Sequence, residues 1–284
     1  MRVPFYDIRA QYVELAPELD AVTHEVMSSG NYSMGKYHKI FEQEMADLHR
    51  TKHAIGVNSG TDALRIAMEA AGIGAGDEVI TTAFTFVAST ETIVQTGARP
   101  VFVDIEDTTL QIDPSKIEAA ITPKTKAILP IHLFGQLADV RAITEIARKH
   151  ELMIIEDAAQ GIASEHDGVP TGHYGVAACF SYYVTKNLGA AGDGGMIVTN
   201  DDTIAEKARS IRVHGMGRER YYYDYLGYTS RLHEIQAAVL HVKLAKLAEW
   251  NQTRRKIARL YIEELQGLGL GLPVTLPGND HNWH

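Results

Sequence analysis

From about residue 54 the chain alternates short apolar, β-rich runs with stretches whose apolar residues recur at helical spacing. AIGV leads into TDALRIAMEAAG, EVITT into VASTETIVQTG, PVFVDI into DPSKIEAAI, and KAILPIH into DVRAITEIARKH; LMIIED then opens a loop, followed by CFSYY and GGMIVT. Short apolar runs bounded by turn residues suit buried strands, and the helical stretches between them supply crossovers. The alternation predicts an α/β protein of three layers, a mainly parallel central sheet with helices on both faces. Residues 231–265 contain neither Gly nor Pro, and Leu232, Ile235, Val239 and Val242 keep a helical period. A continuous helix over that stretch would span about 50 Å at ~1.5 Å per residue, long enough to leave one domain and enter another. The expected division is therefore a large domain over 1–235 and, over 236–284, a long linking helix with the start of a small C-terminal domain.

Composition narrows the function classes. The 284 residues are 45% hydrophobic and 22% charged, as in ordinary globular proteins. A formal net charge of -9 without any Lys/Arg-rich block argues against a nucleic-acid partner, although a small anion could bind locally. Cys179 is the single cysteine, so no disulfide forms within the chain and no cysteine cluster holds zinc; a reducing, cytoplasmic setting fits. The segment MRVPFYDIRAQYVEL is broken by charge and proline, and no apolar run approaches the ~18 residues of a membrane span. The expectation is a soluble protein without a membrane partner.

Three segments carry chemistry. In GVNSGTDAL, residues 56–64, a strand ends and Asn58, Ser59, Gly60 and Thr61 precede a helix, so free amides, a close-approaching glycine and hydroxyls form a pocket suited to phosphate. Plain N-capping by Ser59 or Thr61 is the alternative. GIGAG, residues 72–76, looks like part of a dinucleotide fingerprint but follows a helix and precedes a strand, the reverse of the required order, and reads as a C-cap and turn. In LMIIEDAAQG, Glu156 and Asp157 arrive at the carboxyl end of a strand, where open α/β sheets bind ligands. A carboxylate there could cap a helix, hold a metal or pair with a cationic ring nitrogen; the scattered histidines and the absence of HExxH give no support for a metal. In CFSYYVTKNLGAAGDGG, Lys186 stands between an aromatic, β-branched run and a glycine-rich loop. Partial desolvation there would lower its pKa and expose a neutral, nucleophilic amine.

Taken in order, VPFYDIRAQY, NSGTDAL, GDEVITTAFTFVAST, PVFVDI, EDAAQG, FSYYVTKNLGAAGDGG and GYTSRLHEIQAA resemble the DegT/DnrJ/EryC1/StrS family of sugar aminotransferases, which are fold-type I enzymes dependent on pyridoxal phosphate (PLP). The resemblance implies that Lys186 forms the internal aldimine and then moves the proton, and that Asp157 pairs with the pyridine nitrogen and keeps it protonated. It further implies that Gln160 contacts the 3-hydroxyl side of the ring, Phe86 stacks on its face, and Gly60, Thr61 and Ser181 hold the phosphate. The implied reaction moves the amino group of L-glutamate to a nucleotide-linked keto-sugar, giving an amino sugar for surface polysaccharide or a glycosylated metabolite. A homodimer with a shared active site is implied as well.

Some positions depart from the family pattern. Thr229 stands where Asn is common and is expected to reach the phosphate of the partner subunit's cofactor; Arg231 beside it faces either a substrate diphosphate or an exposed ion pair. Lys36 stands where Pro often follows the glycine. Arg212, His214 and Arg218 are either substrate contacts or a solvated basic loop. Family members continue past the motif that HNWH begins, so the small domain is expected to be incomplete. A dehydratase of the same family would carry His in place of Lys186, and a hydrolase built on Ser181 and Lys186 would need an SxxK or GxSxG arrangement that is missing. A regulatory or binding protein that retains the fold is the non-enzymatic alternative.

Overall fold

The computed structural model describes residues 7–219 and 221–284; Val3 to Tyr6 of the VPFYDIRAQY segment lie outside the described residues. In chain order the strands are β1 (His53–Val57), β2 (Glu78–Thr82), β3 (Arg99–Val103), β4 (Thr125–Ile128), β5 (Met153–Asp157), β6 (Glu165–His166), β7 (Val169–Pro170), β8 (Ala177–Ser181), β9 (Gly195–Thr199) and β10 (Asn279–Asp280). The helices are α1 (Ile8–Ser29), α2 (Lys36–Leu48), α3 (Gly60–Ala70), α4 (Ala88–Gln95), α5 (Pro114–Ala120), α6 (Val140–Lys149), α7 (Asp202–Ile211), α8 (Glu234–Leu244) and α9 (Leu247–Leu265).

Seven strands form the central sheet in the order β1-β9-β8-β5-β4-β2-β3. β9 pairs antiparallel with both β1 and β8, and every other pairing in this sheet is parallel. The apolar runs of the sequence are explained by burial on both faces. Ile55, Ile155, Cys179 and Ile197 pack with α3 and α7. Their neighbours Ala54, Phe180, Met196 and Val198 pack with Phe41 and Met45 of α2 and Ala237 and Leu240 of α8, while Ile128 and Ile154 meet Ile117 and Ile143 from α5 and α6. This is the three-layer α/β arrangement that the hydrophobic pattern predicts.

Two expectations about the last third of the chain change. The helix over 231–265 is not continuous: it divides at Ala245 and Lys246 into α8 and α9. α8 is held against the core, and its Lys243 donates to the Gly189 carbonyl at 2.8 Å, whereas Leu247 and Asn251 are the buried residues of α9. The chain turns where its burial changes. For the same reason residue 235/236 is no packing boundary, because Ala237, Ala238 and Leu240 belong to the core of the large domain. Residues 279–284 also return to it: β10 pairs with β6 in a small sheet ordered β10-β6-β7, and Asn282 is fully buried.

Candidate active site

The carboxyl ends of β1, β2, β5 and β8 border a cavity of about 460 Å³, lined among others by Gly60, Thr61, Phe86, Asp157, Ser181 and Lys186. At one end, Ser59 caps α3, its hydroxyl accepting from the Asp62 amide at 3.1 Å. Gly60 and Thr61 then occupy the first helical turn, whose amides have no intrahelical acceptors and favour an anion. Gly60 is required by close approach, since a Cβ there would stand 2.7 Å from the Cβ of Ser181. Capping by Ser59 thus leaves the amino end of α3, with Gly60 and Thr61, facing the cavity.

Strand alternation separates the two carboxylates of β5. Asp157 lines the cavity, accepting from the Ser89 hydroxyl at 2.7 Å and from the Ala159 amide at 3.1 Å. Burial pushes its carboxyl above the ordinary carboxylate range, against the pull of those bonds and of the Lys186 charge. Glu156 faces away: it accepts from His132 Nε2 at 2.9 Å and from the amides of Gly172 and Tyr174, so its role is structural. Ala138 donates to His132 Nδ1, which leaves the ring proton on Nε2 for Glu156.

Lys186 follows β8 in a tight turn in which its backbone amide donates to the Tyr183 carbonyl at 2.8 Å. Burial lowers the pKa of its side chain, with the Asp157 charge acting in the opposite direction. An amine of lowered pKa, a buried carboxylate and the first-turn amides of α3 therefore share one cavity. These are the partners that the aldehyde, ring nitrogen and phosphate of PLP require, and the donor set fits that group. Gln160 lines the same cavity, its side-chain oxygen fixed by the Phe134 amide. Phe86 also lines it and is 72% exposed, an aromatic side chain within reach of a flat ligand.

The structure does not bring every predicted residue here. Thr229, expected at the cofactor of a partner subunit, does not line this cavity; its hydroxyl lies 3.0 Å from His214 Nε2. The adjacent Ser230 binds Asp62 of α3 at 2.7 Å and accepts from the Asn58 amide, which ties this segment to the amino end of α3. Arg231 is outside the cavity lining as well. Arg212 is neither a substrate contact nor solvated: it is 3% exposed and binds Glu42 and the Gly56 carbonyl. Burial alone would raise Glu42, but His38, Arg212 and the Gly56 amide together bring it down to about 2. Arg218 pairs with Glu206 on the surface and Lys36 with Glu25. Gly72 and Gly76 adopt positive φ in the turn after α3, the C-cap expected for GIGAG.

Sequence reasoning missed Ser89 and Tyr183. Ser89 lies one helical turn after Phe86, a spacing that could have marked it as a partner for the cavity. Among the described residues no group of three or more His, Cys, Asp or Glu could hold a metal ion, and no helix is long and apolar enough to cross a membrane.

Comparison with known proteins agrees with this geometry. The model of the DegT/DnrJ/EryC1/StrS aminotransferase family matches residues 14–284. A "pleiotropic regulatory protein" of Geobacillus stearothermophilus is 51% identical, over 100% of this chain and 77% of its own length. The dTDP-3-amino-3,4,6-trideoxy-alpha-D-glucose transaminase of Streptomyces venezuelae is 46% identical, over 100% of this chain and 75% of its own. Among solved structures, S. venezuelae DesV in complex with a ketimine intermediate superposes with a TM-score of 0.97 at 47% identity, covering 100% of this chain and 76% of that one. NtdA from Bacillus subtilis, with the cofactor PMP bound, gives a TM-score of 0.90 at 33% identity, covering 100% and 65%. With a family match over nearly its whole length, this chain belongs to the DegT/DnrJ/EryC1/StrS family of PLP-dependent aminotransferases.

Proposed function

We propose that this aminotransferase takes the amino group of L-glutamate and delivers it to a nucleotide-linked keto-sugar, producing a nucleotide-linked amino sugar. The observation that carries the reading is the convergence of Lys186, Asp157 and the amino end of α3 on a single cavity. Related proteins named for amino transfer to dTDP- and UDP-linked sugars support the acceptor class. When bound, PLP supplies the electron sink and amino carrier that no side chain provides.

In this reading the protein's own residues divide the work as follows. Gly60, Thr61 and Ser181 bind the phosphate, and Asp157, held by Ser89, meets the ring nitrogen. Phe86 covers the ring face and Gln160 orients its 3-hydroxyl side. Lys186 would supply the reacting amine and carry the proton at Nζ, tasks that its lowered pKa favours. Thr229 reaches the phosphate of the partner subunit's cofactor in a homodimer. Exposed Phe84, Phe86, Val87 and Tyr183, close to the cavity, support a protein partner on this face. A cytoplasmic location and a product destined for polysaccharide or a glycosylated metabolite accord with this chemistry.

A regulatory role is the second reading, favoured by the name of the Geobacillus relative. Offering L-glutamate to the PLP-loaded protein separates the two: conversion of the cofactor to its aminated form supports the transferase, and an unchanged spectrum supports the regulator. A panel of nucleotide keto-sugars offered to the aminated form then identifies the acceptor.

A further inference from the structure

Asn282 touches three separate segments around the cavity, at Asn187, at Gln160 to Ile162 and at Gly135, which lie 95 to 147 residues before it in the chain. Its side-chain amide donates to the carbonyls of Gln160 and Ile162, each at 2.8 Å. Its backbone amide donates to the Gly135 carbonyl at 3.1 Å, and its own carbonyl accepts from Asn187 Nδ2 at 3.2 Å. Asn187 is the residue next to Lys186. The same Asn187 amide reaches Asn251 of α9 at 3.0 Å, and its oxygen lies 3.1 Å from His284 Nδ1. The His284 backbone amide donates to the Phe134 carbonyl at 2.9 Å.

Such a junction is built rather than incidental. Asn187, Asn251 and Asn282 are at most 2% exposed, so each unmade bond would leave a buried polar group unpaired. Gly135 has φ +91°, and a Cβ there would fall 1.7 Å from Asn282 Oδ1; this turn accepts the asparagine because it has no side chain. Phe134, held by His284, in turn donates to the side chain of Gln160.

We propose that Asn282 is a positioning residue for the active site, fixing the turn that carries Lys186 relative to the loop that carries Gln160. The inference rests on the PLP site described above. It predicts that the orientation of bound PLP depends on a residue that does not line its cavity.

The test compares Asn282→Ala with Arg255→Met. Arg255 holds the same segment through the His281 carbonyl and Asp280, at 3.0 and 2.8 Å, without touching the site loops. We expect Asn282→Ala to weaken PLP binding about tenfold, the equivalent of ~1.4 kcal/mol. The circular dichroism induced in the PLP band should change at the same time, and amide exchange should accelerate over residues 131–136, 157–162 and 183–188 of the apoprotein. Arg255→Met should lower the melting temperature but leave PLP affinity and the induced signal within twofold of the parent. If Asn282→Ala lowers only the melting temperature, the proposal is overturned. If that variant does not fold, Asn187→Ala cuts the junction from the lysine side, and unchanged PLP affinity and dichroism there overturn it equally. Failure of the parent protein to bind PLP would instead remove the site assignment itself.

Discussion

The two carboxylates at the end of β5 differ by one position and have opposite tasks. Glu156 is consumed by His132 and two loop amides, while Asp157 is buried beside the cavity. Because burial raises the Asp157 pKa, the unfolded chain ionises first as pH rises from ~4. Its contribution to apoprotein stability is therefore present at low pH and lost as pH climbs through the raised folded value. Asp157→Asn should raise the apoprotein melting temperature at pH 7, with the difference from the parent vanishing below about pH 4. The same change should slow amino transfer by ~10²–10³-fold, the cost of losing one preorganised electrostatic partner. Melting curves across pH and steady-state rates check the two arms. That a partly desolvated lysine follows β8 and a carboxylate ends β5 was legible from residue type and position alone. Which of the two carboxylates enters the cavity was not, because the pairing register and the packing of α3 decide it.

At the scale of elements, the proposed phosphate site depends on how closely α3 meets β8. Gly60→Ala places a methyl group against Ser181, and overpacking of ~1–3 kcal/mol at that contact should weaken PLP binding by ~10- to 100-fold in a spectrophotometric titration. A second junction joins α2, β1 and the end of α7 through Glu42, Arg212 and His38. Glu42 has a folded pKa of about 2, so its stabilisation is complete above the ordinary carboxylate value and is lost as pH falls from ~4.5 toward 2. Denaturant titration of Glu42→Gln at pH 7 should show a loss of about 3 kcal/mol, since Arg212 stays buried without its counter-charge; the gap should narrow below pH 4. The β/α alternation and the cap at Ser59 were readable because they are local. The burial of Arg212 was not, since its partners are 156 to 174 positions away. The break between α8 and α9 was hidden for a similar reason: no Gly or Pro marks it, and only packing against the core does.

The cavity lies at the carboxyl ends of the sheet strands, and residues 279–284 close back onto the loops beside it. Such long-range closure leaves no periodic signal, which is why Asn282 and Asn187 were not found by pattern. The proposed homodimer would cover the exposed apolar residues beside the cavity and employ Thr229, and sedimentation equilibrium should then give about twice the 31.3 kDa chain mass. A strictly monomeric species would remove Thr229 from the site. The central claim is that this cavity holds PLP with Lys186 as the reacting amine. It is tested most directly by adding PLP to the purified apoprotein and to Lys186→Ala, recording absorption spectra, and then adding L-glutamate. A visible band is expected in the parent, absent from the variant and discharged by glutamate. No band in the parent, or the same band in both proteins, would contradict the claim.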